Sequence, residues 1–307
     1  MMNGFLNVNK PKGITSHDVV DEIRKLVRRN KVGHTGTLDS EATGVLPMAI
    51  GRATKVIQFL KKDKEYRAIM RLGIITDTQD ITGKVIAKSK KIDIPEERVR
   101  KVFLKFLGKI EQLPPIFSAL KVRGKRLYKL AREGKSVERP KRAVEIYNLN
   151  LLEYKPPDIT LKVSCSKGTY IRTLCHDIGK VLGCGACLKA LVRTKSGIFT
   201  LEESHILEEL RKMPHLEGIL ISMDSALAHL PIVRINEKTR ESVLNGGPIE
   251  ISGIQEIFSP IKGEEIVRIH NTENRLLAVA RALFNIEDLK RIEKKVIAFK
   301  PVRVLGK

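Results

Sequence analysis

The residues best equipped for chemistry crowd one short stretch. Gly33, Gly36 and Gly44, with Thr35, Thr37 and Thr43, surround a single aspartate, Asp39, between a helical pattern and an apolar run. Glycine lets a backbone approach a ligand closely, and a carboxylate presented on such a loop can act as nucleophile or general base. On composition alone the stretch more often describes a turn whose aspartate is satisfied by neighbouring amides. Glu41 is a second candidate carboxylate, and His34 reads equally as a capping or core histidine.

A second stretch, Ser166-Lys167-Gly168-Thr169-Tyr170-Ile171-Arg172, follows a strand pattern and opens a helix. Arg172 lies off the apolar stripe of Ile171, Leu174 and Ile178. An arginine near a loop aspartate orients it and holds it ionised. The plainer alternatives are a phosphate contact and a surface arginine. Tyr66 shares one face of an alternating strand with Ala68, Met70 and Leu72, a position more often core than catalytic.

Several elements must position these residues. Residues 5–10 alternate as a strand. Thr15 and Asp18 form a capping box ahead of a helix whose buried face is Val19, Val20, Ile23, Leu26 and Val27. Residues 45–60 read as a short strand and then a helix. A helix opens at residues 93–95, buries Val99, Val102, Phe103, Phe106 and Leu107, and ends at Gly108. Residues 121–142 contain a short helix around Leu127, Leu130 and Ala131. Strands follow at 143–153 and 159–165, then a helix at 169–182 stopped by Gly183. Residues 200–231 read as acidic and helical. After Pro231 the texture changes to short β-rich segments, which sets a domain boundary there; 307 residues suit two domains.

Composition narrows the function. At 42% hydrophobic and 30% charged, the chain is a globular protein with a real core, not a disordered one. No apolar run approaches the roughly 20 residues of a membrane span. The first ten residues carry no secretory signal, so the expected location is the cytoplasm. The net charge is +22, and all of it resides in residues 1–200, with 41 basic and 19 acidic side chains. The densest segment, 121–142, holds ten basic and two acidic residues. A lysine-rich surface adapted to heat would interleave acids with the bases; a field of one sign points to a polyanion, nucleic acid. Cys184 and Cys187 have a metal or redox spacing, but Cys165 and Cys175 do not repeat it. Buried thiols are expected, with no metal, no disulfide and no cofactor.

Five segments together resemble the TruB family of RNA pseudouridine synthases. They are residues 9–16 (Asn9-Lys10-Pro11-Lys12-Gly13-Ile14-Thr15-Ser16), 33–39, Glu65-Tyr66, Gly168-Thr169-Tyr170-Ile171-Arg172 and residues 191–197, in the family's order and spacing. The match spans residues 4–200. Leu244-Asn245-Gly246-Gly247 and residues 263–270 resemble, more loosely, the small β-barrel PUA domain. The resemblance implies an α+β fold: a mixed, mainly antiparallel central sheet flanked by helices in residues 1–231, with a PUA-like barrel in 232–307. It also implies site roles. Asp39 is the nucleophile, Tyr66 stacks on the target uracil and takes part in proton transfer, and Arg172 pairs with Asp39. His34 displaces the target base, Leu191 and Tyr170 line the pocket, and Lys10 and Pro11 brace the loop, Lys10 being counted with the substrate-binding set. The family usually has proline after the aspartate. Here Ser40 stands there, which loosens the loop while keeping the carboxylate.

Residues 112–142 resemble the insertion with which stand-alone tRNA enzymes grip the T-arm. It offers Lys121, Arg123, Lys125, Arg126, Arg132, Arg139 and Arg142 to RNA. Guide-RNA-dependent relatives keep the Pro114-Pro115 element and generally lack the Leu127-Tyr128 to Arg132 part. The expected activity is therefore conversion of uridine 55 in the tRNA T-loop, by a monomer without obligatory protein partner, membrane or metal. The runner-up is the catalytic subunit of an H/ACA guide complex. A third reading is a non-catalytic RNA-binding protein with a structural Asp39.

Overall fold

The computed structural model describes residues 2–28, 30–116, 121–122, 125–126, 139–289, 291 and 293–306, with backbone only at 121, 122, 125 and 126. Eight strands form the spine of a first, ten-stranded sheet. They are β1 (Gly4–Lys10), β3 (Thr43–Ile50), β4 (Lys64–Leu72), β7 (Gly108–Gln112), β10 (Arg142–Lys155), β11 (Asp158–Cys165), β12 (Ala186–Ser196) and β14 (His205–Ile206). Their order is β14-β1-β3-β12-β4-β11-β10-β7; β2 (Val32–His34) pairs with β3, and β13 (Phe199–Thr200) with β12. Only the β1–β14 and β3–β12 pairings are parallel, so the sheet is mixed and mainly antiparallel.

Alternation explains the centre of this sheet. In β4, Tyr66, Ala68, Met70 and Leu72 all face the core, and their neighbours face outward. Helices α1 (Ser16–Leu26), α2 (Glu96–Leu104) and α3 (Ile171–Leu182) flank the sheet. Thr15 caps α1 with the reciprocal capping box, and Gly183 ends α3 in the left-handed region at φ 85°. A small hairpin, β5 (Ile74–Thr76) with β6 (Val85–Lys88), projects from the end of β4, and β8 (Lys121–Val122) pairs with β9 (Lys125–Arg126).

Three expectations for local structure are corrected. The helix expected through Leu107 ends at Leu104: Lys105 closes onto Val102, Gly108 turns the chain at φ 79°, and Leu107 is exposed. Residues 51–59 form two 3-10 turns, Gly51–Lys55 and Ile57–Phe59, not an α-helix. Thr54, Val56 and Ile57 are β-branched there and resist helix propagation. In residues 200–231 only Leu207–Lys212 and Met223–Ala226 are α-helical, because Pro214 holds Met213 extended and stops the first. The short helix expected near Leu127 lies outside the described residues.

A second sheet runs β16 (Ile249–Glu250), β20 (Ile297–Val304), β19 (Leu276–Ala282), β18 (Ile266–His270), β15 (Ile232–Ile235) and β17 (Ile254–Ile257), curling into a nearly closed small barrel with its own core. A further cluster joins the two sheets: Phe5, Val45 and Phe199 from the first, with Val56 from between the 3-10 turns, meet Val279 from the second and Leu305 just past β20. Asp224 seals the seam, accepting from Arg268 Nη1 at 2.8 Å and pairing with His270 Nε2 at 2.9 Å. Among the described residues, no helix is long and apolar enough to cross a membrane.

One close backbone approach lies where β3 and β12 run parallel. Gly44 has φ 101°, and a Cβ there would lie 2.3 Å from the Arg193 carbonyl oxygen. A Gly44→Ala variant is expected to lose about 3 kcal/mol of stability through left-handed strain and this clash. An unchanged denaturant midpoint would show that the approach is not required.

Candidate active site

Asp39 stands on the loop between β2 and β3, and that loop is stapled from several sides. The Leu38 amide donates to Ser16 Oγ at 2.8 Å, and the Ser16 hydroxyl donates to the Leu38 carbonyl at 2.9 Å. Lys10 Nζ donates to the carbonyls of Pro11 (2.8 Å), Ile14 (2.7 Å) and Ser40 (3.1 Å), and the Gly13 amide also donates to Ser40 (2.9 Å). Arg193 donates to the carbonyls of Val45 (2.6 Å), Gly36 (3.0 Å) and Thr37 (3.4 Å). The Leu38 side chain is buried in the core beneath. Loop carbonyls therefore turn inward to buried cations, while the Asp39 side chain stays 56% exposed. The looseness expected from Ser40 in place of proline is offset by the two donors on its carbonyl.

Arg172 is the second residue of α3 and is buried. Its Nη2 meets Asp39 Oδ2 at 2.8 Å, and its Nη1 meets Asp80 Oδ2 at 3.5 Å. One guanidinium is thus divided between two carboxylates. Asp80, which the sequence reading missed, is itself fixed: Thr78 Oγ1 (2.9 Å), the Thr82 amide (3.0 Å) and Thr82 Oγ1 (2.6 Å) all donate to its Oδ1. The signal available was the run Asp77-Thr78-Gln79-Asp80-Ile81-Thr82-Gly83, in which hydroxyls bracket a carboxylate.

Tyr66 and Arg193 are register partners on β4 and β12. Burial pushes the Tyr66 phenol up from its ordinary value, with Arg193 opposing, so it stays a neutral phenol. Arg193 is fully buried, and burial lowers its guanidinium against the opposing pull of Tyr66. It too went unassigned from the sequence, because only the long-range pairing of β12 with β3 and β4 brings it under the loop. Lys64 lies on the same face of β4 as Tyr66, two positions away. Burial and then Arg193 pull its ammonium down to about 7, and it donates to Ser196 Oγ.

The remaining candidates fall around this centre. Lys10 has no exposed surface and acts on the loop, not on a ligand; burial lowers it to about 8 against the pull of Asp39 and Glu41. His34 is half-buried on β2, lowered by burial, with a buried Nδ1 that makes no hydrogen bond. Leu191 is half-buried opposite Ala68. Tyr170 caps α3, and Gln112 clamps its backbone, donating to its carbonyl at 3.2 Å and accepting from its amide at 3.0 Å. Glu41 points away to Lys12 at 3.2 Å. Cys165, Cys175 and Cys187 are buried, Cys184 is half-buried, and all four are free.

Of the basic set, Arg142 is exposed at the start of β10. Arg139 donates to the Pro114 carbonyl at 2.6 Å, closing the base of the 112–142 insertion. Arg123 and Arg132, and the side chains of Lys121, Lys125 and Arg126, lie outside the described residues.

The chain is similar to known proteins. The model of the TruB family pseudouridylate synthase N-terminal domain matches residues 24–171, and that of the tRNA pseudouridylate synthase B C-terminal domain matches 172–228. A relative from Alkaliphilus oremlandii, named tRNA pseudouridine synthase B, is 44% identical over 93% of this chain and 100% of its own length. The chain belongs to the TruB family. A Thermotoga maritima relative of the same name is 42% identical over 96% of this chain and 94% of its own. The PUA domain model matches residues 231–305. Among solved structures, a chain of a Cbf5-Nop10-Gar1 complex aligns with TM-score 0.78 and 31% identity over 99% of this chain and 86% of its own. A chain of an H/ACA RNP bound to a substrate RNA containing 2′-deoxyuridine aligns with TM-score 0.77 and 29% identity, over 99% and 85%.

Lys64 gives this family member a testable pH signature. Between about 7 and its ordinary value of 10.5 it is neutral in the fold and protonated in the unfolded chain. Its contribution to stability therefore rises with pH across that window, by at most about 1.4 kcal/mol per unit, and is flat below it. Unfolding measured from pH 7 to 10 should show a shallower rise in Lys64→Met. Parallel curves would mean that Lys64 is not neutral in the fold.

Proposed function

We propose that this chain converts uridine to pseudouridine at position 55 in the T-loop of tRNA, without guide RNA. The observation that carries the reading is the 2.8 Å pair between a buried Arg172 and a half-exposed Asp39 on a stapled loop. The names of the relatives support tRNA as the substrate class.

The reaction breaks the N1–C1′ bond, turns the base and joins C5 to C1′. The C5 proton leaves, N1 gains one, and the composition of the nucleoside is unchanged. No redox equivalent or transferred group is needed. One carboxylate can open the sequence by attacking the sugar, by attacking the base or by assisting elimination. All three need Asp39 charged, exposed and aimed. Arg172 aims it. Because Asp80 takes part of the same guanidinium, the pair of carboxylates keeps a net negative charge beside the sugar. The uracil must leave its stack to reach Asp39, and Tyr66 offers it an aromatic face and a neutral phenol. His34 and Leu191 stand at the mouth, and Tyr170 beside Arg172. Lys10 positions the loop and does not touch the substrate.

Residues 1–231 form the catalytic unit in this reading, residues 112–142 grip the T-arm, and 232–307 add a second RNA-binding surface. The protein acts as a cytoplasmic monomer. The likeness to H/ACA chains favours one competing reading, guide-dependent catalysis; the identity to stand-alone enzymes is higher, at 42–44% against 29–31%.

The deciding assay uses purified protein and an unmodified tRNA transcript labelled with tritium at uracil C5. Label is expected to enter water in proportion to pseudouridine formed, with no guide RNA or partner present. Activity appearing only after guide addition would favour the H/ACA reading. Asp39→Asn is expected to abolish release while RNA binding stays within about twofold; surviving turnover would move the chemistry to another residue. Arg172→Lys supplies one point charge where a fork served two carboxylates. It is expected to lower kcat about 100-fold with little change in KM, and an unaltered kcat would remove Arg172 from the positioning role.

A further inference from the structure

A cleft of about 220 Å³ opens beside the loop that carries Asp39. At roughly 30 Å³ per water, it has room for about seven, enough for a phosphate group and its hydration. Its polar lining includes Thr35, Lys61, Lys62, Lys64, Lys167 and Ser196. Lys61 has a partner, Asp63, at 3.6 Å. Among the described residues no carboxylate lies within 4.0 Å of Lys62, Lys64 or Lys167.

These cations are crowded. Lys62 lies against Lys167, and burial followed by that like charge lowers the Lys62 ammonium. A Cβ added at Gly36 would stand 3.7 Å from Lys64 Nζ and 3.8 Å from Arg193 Nη1, so two basic side chains flank one glycine. Thr35 Oγ1 is buried in the same wall and has no hydrogen-bond partner. Gathered ammonium groups and an orphaned hydroxyl are each unfavourable alone. A tetrahedral oxyanion relieves both at once, accepting from the lysines and the hydroxyl together.

We propose that this cleft is a phosphodiester subsite, in which Thr35, Lys62, Lys64 and Lys167 receive a backbone phosphate of the RNA next to the extruded uridine. The inference rests on the reading of the substrate as RNA. Placement favours a phosphate in the chain over a free anion. Thr35 and Gly36 belong to the loop of Asp39, and Lys64 and Tyr66 share a face of β4 at a spacing of about 6.6 Å. That distance is within the span of one nucleotide. Holding the phosphate there fixes the backbone about which the uridine rotates, so the subsite orients the sugar toward Asp39.

The test replaces single phosphodiester linkages around the target uridine of a T-arm stem-loop with uncharged methylphosphonates. Binding is measured with Asp39→Asn protein, and with the same protein carrying Lys62→Gln and Lys167→Gln. Both lysine side chains are exposed at the cleft rim, so these changes leave the core alone. One linkage within a nucleotide of the target is expected to weaken binding about tenfold when neutralised, and to have no further effect once the lysines are gone. The slope of log Kd against log salt should fall by about one to two in the lysine variant. Equal losses at every linkage in both proteins would overturn the subsite. Inorganic phosphate provides the other arm: if it shields Lys64 from amine-modifying reagent while no linkage couples to the lysines, the cleft holds a free anion and the proposal fails. Turnover of the unmodified RNA by the unaltered chain is followed in parallel. Turnover without linkage coupling sinks the subsite alone, whereas neither turnover nor binding sinks the RNA reading with it.

Discussion

A guanidinium held below the surface and a carboxylate held above it, 2.8 Å apart, set the terms for the rest of the molecule. Burying Arg172 costs solvation that one exposed aspartate recovers only in part. Asp80 adds a second, longer contact from the turn of the β5–β6 hairpin, with its own Oδ1 held by Thr78 and Thr82, while Arg172 Nε stays buried without a hydrogen-bond partner. The arginine is thereby fixed by structure on one side and left to act on the other. An arginine suits this position because its planar fork reaches two acceptors in defined directions.

The same economy governs the loop. Three of its carbonyls, at Gly36, Thr37 and Ser40, accept from Arg193 or Lys10, which are both fully buried. Cations beneath a loop draw its carbonyl oxygens inward and leave the side chain of Asp39 facing out. Gln112 extends this order to α3. It closes β7, where the basic insertion departs, and both polar atoms of its amide hold the backbone of Tyr170, two residues before Arg172. The base of the basic segment and the start of the helix that carries Arg172 are therefore held by one side chain.

Local rules were enough for local features. The alternation of residues 65–72, the capping box of Thr15 with Asp18 and the stop at Gly183 each depend on a few neighbouring residues, and each stands as read. Helical expectations failed where a later residue overruled periodicity, as Pro214 does for residues 207–213. The pairing of Asp39 with Arg172 was legible through ordered motifs and not through spacing, since 133 residues separate them. Asp80, Arg193, Gln112 and Lys64 were not legible. Each gains its place from strand register, which sets β12 against β4 and β10 against β7 across long stretches of chain.

Charge counting met the same boundary. The excess of +22 in residues 1–200 reads as one field, but its members do different work. Lys10 and Arg193 are spent on loop carbonyls, Arg172 on two carboxylates and Arg139 on the Pro114 carbonyl, and none of these adds much to a long-range potential. The cleft lysines form an intermediate class, with Lys62 and Lys167 close enough to repel and exposed at the rim. Long-range attraction falls to exposed residues such as Arg142, where salt screens within about 8–10 Å. Under the proposed function, an RNA drawn in by the exposed set would meet shorter-range, better-aimed cations as it nears Asp39. In that reading affinity and orientation come from different residues, which is why net charge speaks to the partner class and not to the geometry.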